Sequence, residues 1–358
     1  MADLWEKLRQ QLDQMSTGFP STESGIEIEI LKDIFTEEEA ALFLDLTPFP
    51  ETPEAAAERL GRDEKKLGAQ MEKMAKKGQL LRVRKDGVAS YSIVPFVVGL
   101  MEFQVKRLAD DKILATKMEQ YAAEGFIQTL QSLKTPHQRT IPVTKDLVVR
   151  WPVAPYEDAI TILKNQKKIA LAPCVCRQLA IQARPEETLC KKPLEACLIF
   201  GQAADYYVEN GMGRFVSVEE AEQVIKRSEE AGLVVQPVNA QKVAGMCNCC
   251  GDCCGMLMSL KMQPKPAEAV QSNYYAEVDP EECTACETCL DRCQMEAIEI
   301  PDDTAVVLRD RCVGCGLCVT ICPTEAVKLV KKPEEQLYVP PKTHLDMFVE
   351  MMKERGKL

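Results

Sequence analysis

Two cysteine-rich stretches decide the fold of the carboxyl-terminal part of the chain: CTACETCLDRC at residues 283–293 and CVGCGLCVTIC at residues 312–322. Both have the spacing CxxCxxCxxxC. A loop with three cysteines at that spacing wraps around an iron-sulfur cubane so that three thiolates reach three different irons, and the fourth ligand comes from elsewhere. Each stretch is followed by an apolar segment, EAIEI or EAVKL, which predicts a short strand.

This double repeat resembles the bacterial-type ferredoxin, a pseudo-twofold domain that binds two 4Fe-4S clusters and carries electrons. In that family the distant cysteine of each repeat serves the other cluster. The resemblance implies one cluster bound by Cys283, Cys286, Cys289 and Cys322, and another bound by Cys312, Cys315, Cys318 and Cys293. One departure is Gln294, which stands after Cys293 where many members carry proline.

Zinc is the alternative for these eight cysteines, because CxxC pairs also build tetrahedral zinc sites. Zinc sites use pairs, whereas CxxCxxC offers three equally spaced ligands, so the spacing favours clusters. Gly314 and Gly316 lie inside the second loop. We expect their missing side chains to let the backbone wrap closely around a cluster.

Nine further cysteines lie in the middle of the chain. They are Cys174, Cys176, Cys190, Cys197, Cys247, Cys249, Cys250, Cys253 and Cys254. Adjacent cysteines point in different directions on most backbones, so the nine cannot all face one metal centre. We predict one further 4Fe-4S cluster, or two, bound by the Cys174 and Cys176 pair together with members of the 247–254 run.

Zinc competes with a cluster in this middle region, since CxC and CxxC pairs are common in zinc sites, and a redox-active dithiol is a third interpretation. Arg177 directly follows the CxC pair. It is expected either to donate to a cluster or an anionic ligand, or to form a surface salt bridge.

Composition narrows the class of protein. The chain has 358 residues and 17 cysteines, none of them before Cys174. Its net charge of −11 argues against a protein whose main task is to grip nucleic acid or an anionic membrane. With no export signal and no transmembrane stretch, we expect a cytoplasmic protein whose cysteines are thiolates rather than disulfides. So many oxygen-labile clusters suit an anaerobe.

Helical and strand patterns predict a multidomain α+β protein. The predicted parts are a helical leader with a winged-helix-like domain at 1–96, a helical connector at 97–150, a cysteine-rich metal- or cluster-binding domain, α/β or mainly helical, at 151–265, the ferredoxin module at 276–332, and a helical tail at 333–358. A proline-containing linker is predicted at 262–275.

The winged-helix resemblance is one of pattern, three helices and then a hairpin over residues 36–93. Basic residues concentrate on its third helix and hairpin, namely Lys65, Lys66, Lys73, Lys76, Lys77, Arg82, Arg84 and Lys85. DNA binding is one interpretation of this charge. The acidic chain as a whole favours a solvated face or a docking surface for an acidic partner instead.

The chain as a whole resembles the multidomain iron-sulfur proteins of anaerobic bacteria. It lacks GxGxxG and GxxxxGK, so a nucleotide site is not supported. We predict an electron-transfer protein or a subunit of an oxidoreductase complex, passing single electrons through two ferredoxin-type clusters and one middle-domain cluster to a redox partner protein. The alternatives are an iron-sulfur reductase with a catalytic middle domain and a small-molecule substrate, and a redox-responsive DNA-binding regulator.

Overall fold

The computed structural model describes residues 3–143, 153–188 and 190–358. The predicted boundary at residues 150 and 151 lies outside the described residues. Helices and strands are both abundant, so the protein is of the α+β class. Within the described ranges, no helix combines the length and the apolar character needed to cross a bilayer.

The amino-terminal region is a set of helices followed by a hairpin. The helices are α1 (Leu4–Asp13), α2 (Ile26–Ile34), α3 (Glu37–Asp45), α4 (Pro53–Leu60) and α5 (Glu64–Lys76), and the hairpin strands are β1 (Leu81–Lys85) and β2 (Val88–Ser92). Local sequence explains the helix ends. Thr36 and Glu39 form a capping box on α3, and Gly61 ends α4 in the left-handed conformation that glycine adopts without strain.

The hairpin is docked against the middle of the chain. Arg82 is 3% exposed, and its guanidinium donates to the carboxylates of Glu72 at 2.9 Å and Glu209 at 2.9 Å. Arg84 also pairs with Glu209. Two of the eight basic residues on the third helix and hairpin therefore form ion pairs within the molecule, although the side chain of Arg84 remains 42% exposed.

The middle region is built on a five-stranded antiparallel sheet with the strand order β5-β3-β4-β7-β6. Its strands are β3 (Ile169–Pro173), β4 (Glu195–Phe200), β5 (Arg214–Val216), β6 (Val234–Pro237) and β7 (Gly245–Cys249). The helices before and around it are α6 (Met101–Phe103), α7 (Lys112–Tyr121), α8 (Ile127–Ser132), α9 (Ala159–Lys164), α10 (Val175–Ala183), α11 (Gly201–Glu209), α12 (Val218–Glu230), α13 (Gly255–Lys261) and α14 (Pro266–Ala269). Single helical turns occur at Arg107–Ala109, Ala122–Phe126, Pro155–Glu157, Glu186–Thr188 and Glu334–Gln336.

One hydrophobic core joins the amino-terminal helices to this middle region. Val175 and Leu179 on α10 and Tyr206 on α11 are buried in the same cluster as Trp5, Phe43 and the other amino-terminal core residues. The predicted boundary at residues 96 and 97 therefore lies within a continuous core.

The carboxyl-terminal module is small and loop-rich. Its elements are β8 (Tyr274–Val278), α15 (Thr288–Arg292), β9 (Ile298–Glu299), β10 (Val306–Val307) and β11 (Val327–Lys331), with β8 paired to β11 and β9 paired to β10. The predicted strand segment EAIEI contains β9, and the segment EAVKL overlaps the first three residues of β11. Residues 270–274 of the predicted linker pack closely, since Val270 and Tyr274 are each 1% exposed, and the first strand begins at Tyr274 rather than at Ala276.

The tail folds back across the molecule. Helix α16 (His344–Glu354) ends at Glu354. The carboxylate of Glu354 accepts hydrogen bonds from the backbone N–H groups of Lys134 at 3.0 Å and Thr135 at 3.1 Å. Arg355 then pairs with Asp13 of α1 at 2.6 Å. The two ends of the chain are thus tied to each other.

We expect Arg82→Ala to lower the thermal unfolding midpoint by several degrees, because it removes about 2 kcal/mol of charge-assisted hydrogen bonding from a buried guanidinium. Arg62→Ala is the matched control. Arg62 pairs with Asp45 where both side chains are about 40% exposed, and such pairs contribute roughly 0–1 kcal/mol. Anaerobic thermal melts measure both, and equal shifts would contradict the docking role of Arg82.

Candidate metal centres

Two cavities lie within the carboxyl-terminal module. Cys283, Cys286 and Cys289 line the first together with Cys322, and we call this the outer cavity. The second, the inner cavity, is lined by Cys312, Cys315, Cys318 and Cys293. Each cavity therefore gathers three thiols from one repeat and a fourth from the other, which is the pairing that the ferredoxin resemblance implies.

The backbone around both cavities suits thiolate ligands. Amide groups point at the sulfurs: the N–H of Ala276 donates to Cys312 Sγ at 3.4 Å, that of Ala297 to Cys293 Sγ at 3.3 Å, and that of Ala305 to Cys283 Sγ at 3.4 Å. Hydrogen bonds of this kind orient metal ligands and tune the potential of iron-sulfur clusters. The donor sets and their surroundings therefore fit 4Fe-4S clusters.

The two cavities differ in their access to solvent. Cys286 in the outer cavity is exposed, and a hydrogen bond from Thr288 lowers the pKa of its thiol. In the inner cavity, burial raises the pKa of Cys315 to about 12. Such a thiol stays protonated at neutral pH unless a metal ion binds its sulfur and displaces the proton. Metal binding and deprotonation are therefore coupled there.

Six of the nine middle cysteines form a closed ring, which we call the thiol ring. Each member is in hydrogen-bonding contact with two others, in the order Cys174, Cys176, Cys254, Cys249, Cys247, Cys197 and back to Cys174. Cys174, Cys249 and Cys254 are buried and the other three are half-buried, and no two of the six are joined by a disulfide. The ring includes the predicted CxC pair and three members of the 247–254 run.

The order of the central strands assembles this ring. Cys174 and Cys176 lie where β3 passes into α10, Cys197 lies on the neighbouring strand β4, and Cys247 lies on β7 beyond it. Cys249 ends β7 on the same face as Cys247, because side chains two residues apart in a strand share a face. The turn into α13 then brings Cys254 back to close the ring.

Neighbouring thiols hold part of the ring in its charged form. The hydrogen bond from Cys197 lowers the pKa of Cys247 to about 5, and the hydrogen bond from Cys176 lowers the pKa of Cys254 well below its usual value. The donating thiol shows the opposite shift, because its hydrogen bond to Cys174 raises the pKa of Cys176. Several buried thiolates at one place form a strong cation site.

Three polar side chains face the ring. The Gln138 amide donates to Cys247 Sγ at 3.0 Å. Burial raises the pKa of Glu102 to about 8, and the charges of Cys247 and Cys174 act in the same direction. Nothing in the sequence marks Gln138 or Glu102 as neighbours of cysteines more than 70 residues away, and the prediction missed both.

Arg177 is the third of these side chains. It is fully buried, and its Nη1 donates to the Asn248 carbonyl at 3.1 Å and lies 3.5 Å from Cys250 Sγ. Its Nε has no hydrogen-bond partner among the described residues. The predicted alternative of a surface salt bridge is wrong, because the guanidinium lies between two groups of thiols in the interior.

The other three middle cysteines form a separate group with Asp252. Their sulfurs and one Asp252 oxygen all lie within 4.8 Å of one another: Cys190, Cys250, Cys253 and Asp252. Cys190 Sγ and Cys250 Sγ are 3.8 Å apart. The adjacent pairs Cys249–Cys250 and Cys253–Cys254 are thus each divided between this group and the thiol ring. Asp252 stands inside a CxxC pair, and the prediction overlooked that signal.

Comparison with known proteins identifies the carboxyl-terminal module. A family model described as a 4Fe-4S dicluster domain matches residues 275–329. No match was found among curated proteins or among solved structures. The module is therefore a 4Fe-4S dicluster domain, and at that level the predicted ferredoxin resemblance is confirmed.

We expect Gly314→Ala to remove the cluster of the inner cavity. Gly314 has φ +66°, and a Cβ there would overlap the carbonyl oxygen of Tyr274, so the second loop could not keep its course. Iron per chain should fall by about four, with loss of one reduced-cluster signal in electron paramagnetic resonance. Gly61→Ala is the control, since Gly61 has φ +64° with nothing within 4 Å. Iron loss in both variants would point to general instability instead.

Proposed function

We propose that the chain is an iron-sulfur electron-transfer protein, or the electron-transfer subunit of an oxidoreductase, which connects a redox partner protein to a metal centre in its own middle domain. One observation carries this proposal. Cys249 and Cys254 of the thiol ring are buried in the same apolar cluster as Val313 and Leu317, which line the inner cavity. The thiol ring and the inner cavity therefore share one apolar cluster, which favours electron transfer between them.

The ligands follow from the two cavities. We assign one 4Fe-4S cluster to Cys283, Cys286, Cys289 and Cys322, and a second to Cys312, Cys315, Cys318 and Cys293. Such clusters, when bound, supply one-electron transfer at potentials within roughly −700 to +450 mV. The protein contributes amide donors to the sulfurs, apolar walls that exclude water, and different depths for the two sites.

The thiol ring supports one further iron-sulfur cluster in the middle domain. A tetrahedral zinc ion takes four ligands, whereas the thiol ring offers six thiols, each in contact with its two ring neighbours. Gln138 donates to one ligand sulfur, and Arg177 offsets the negative charge of the thiolates. Because its pKa is about 8, Glu102 keeps its proton at neutral pH and adds no further negative charge.

Glu102 also supports a second candidate function, a reductase whose middle domain is catalytic. Reduction of a small molecule consumes protons as well as electrons, and a protonated carboxyl beside the thiol ring is a local proton source. The DNA-binding regulator has weaker support, since Arg82 and Arg84 are held in internal ion pairs.

The surface around the outer cavity suits a basic redox partner. Seven exposed acidic residues line it or flank its lining residues in the sequence: Glu281, Glu282, Glu287, Asp291, Asp302, Asp303 and Glu325. Leu290 follows Cys289 and is 39% exposed, and Ile321 precedes Cys322 and is 37% exposed. An acidic rim around apolar contacts favours a partner with a complementary positive patch.

Metal analysis tests the middle-domain cluster. We expect the anaerobically purified protein to contain clearly more than about eight irons per chain, the number that two cubane clusters supply. Cys249→Ser should lose the excess iron, because it removes a ring thiol. Cys250→Ser is a matched control from the adjacent position, and it should keep that iron. About eight irons in the unchanged protein would leave the ring without a cluster and contradict this part of the proposal.

Salt dependence tests the docking surface. Hexaammineruthenium(III), a small cation, should oxidise the dithionite-reduced protein more slowly as salt is raised, because the acidic rim attracts it. Replacing Glu282 and Glu287 by glutamine should make that dependence shallower in stopped-flow measurements. Replacing the exposed Glu54 and Glu58 of α4 by glutamine changes the net charge equally and should leave the dependence nearly unchanged. An equal effect of both pairs would show that only total charge matters.

A further inference from the structure

We propose that Cys190, Cys250, Cys253 and Asp252 bind a single zinc ion, at a site distinct from the thiol ring and from both ferredoxin cavities. This inference does not rest on the proposed electron-transfer function. It rests on the spacing of the four ligand atoms, on the surroundings that hold them, and on the place of this group in the fold.

The spacing fits one ion rather than a cluster. Zinc-sulfur bonds of about 2.3 Å in a tetrahedron place the sulfurs about 3.8 Å apart. Cys190 Sγ and Cys250 Sγ are 3.8 Å apart, and all four ligand atoms lie within 4.8 Å of one another. The thiolates of a cubane bind different irons and must stand farther apart. Three thiolates and a carboxylate also complete the four ligands of a closed zinc site.

The neighbouring residues support charged ligands. The Asp252 carboxylate is in hydrogen-bonding contact with the three thiols. Arg184 Nη1 donates to the backbone carbonyl of Asp252 at 2.6 Å, and the Arg177 guanidinium lies 3.5 Å from Cys250 Sγ. Behind the thiols, Ala180, Ala196 and Leu233 form a small apolar cluster. Outer contacts of this kind orient the ligands of a metal site and offset their charge.

The ion would tie the loop that precedes β4 to the turn that follows β7, at one end of two paired strands. Cys190 belongs to the loop between α10 and β4, whereas Cys250 and Cys253 belong to the turn between β7 and α13. That turn carries a ring thiol at each end, Cys249 and Cys254. Zinc would therefore tie this turn to the loop that carries Cys190.

The same turn contacts the ferredoxin module. The N–H of Gly251 donates to the Gln294 side-chain oxygen at 2.8 Å, and a Cβ on Gly251 would overlap the Gln294 backbone carbonyl. Gln294 directly follows Cys293 of the inner cavity. This contact explains why glutamine suits the position where a proline is common, since proline has no side-chain oxygen to accept the bond. The zinc site thus braces the junction between the middle domain and the module.

Adjacent cysteines provide the test. The full chain is produced and purified anaerobically with iron and zinc supplied, and both metals are counted per chain. We expect about one zinc in the unchanged protein. Cys253→Ser should lose the zinc and keep its iron, whereas Cys254→Ser should keep the zinc and lose the iron of the ring. Zinc well below one per chain in the unchanged protein, or zinc retained by Cys253→Ser, overturns the proposal.

X-ray absorption at the zinc edge of the unchanged protein gives a result that does not depend on the variants folding. Three sulfurs at about 2.3 Å and one oxygen at about 2.0–2.2 Å are expected. Asp252→Asn should release zinc to a chelating dye several-fold faster. A zinc-free protein in which mild oxidation links Cys250 to Cys253 would instead identify a redox-active dithiol. If zinc is present but iron stays near eight, the zinc site stands and the ring cluster of the proposed function fails.

Discussion

A buried thiolate has to be matched by positive charge or by hydrogen-bond donors, and the cysteine-rich part of this protein places both beside its thiols. A thiolate removed from water is stable only beside a cation, a metal or hydrogen-bond donors. Arg177 supplies one buried cation between the thiol ring and the Cys190 group, and Gln138 supplies a donor. These contacts are few for nine thiols, which supports the metal centres proposed for this region.

The amino-terminal region contributes to these sites as a support. Its core continues into Val175 and Leu179 of α10, the helix that also carries Cys176 and Arg177. Arg82 of the hairpin forms an ion pair with Glu209 of α11, and Arg355 of the tail forms an ion pair with Asp13. A packed interior of this kind holds side chains to narrow positions, as ligands for a metal require. The basic residues left on α5 are a separate, exposed feature of the same region.

The two classes of site have different origins in the chain. In the ferredoxin module three ligands of each set come from one loop of seven residues, so their spacing is a local property of the sequence. Even there, Cys293 and Cys322 reach the opposite cavities only because β8 pairs with β11 and the two halves fold against each other. The thiol ring and the Cys190 group bring together residues 174 to 254, and no run of neighbouring positions defines either of them.

The sequence by itself determined the ferredoxin-type cysteine spacing and the confinement of all cysteines to the second half of the chain. It also supported the expectation that the nine middle cysteines cannot all face one metal centre. Local patterns carry that information, because loop wrapping and side-chain alternation act over a few residues. The tertiary structure alone decided which middle cysteines meet, that Glu102 and Gln138 face them, that Asp252 joins three of them, and that Arg82 is buried. Those facts follow from the strand order β3-β4-β7 and from the packing of distant helices, and long-range pairing of this kind leaves no periodic signal in one sequence.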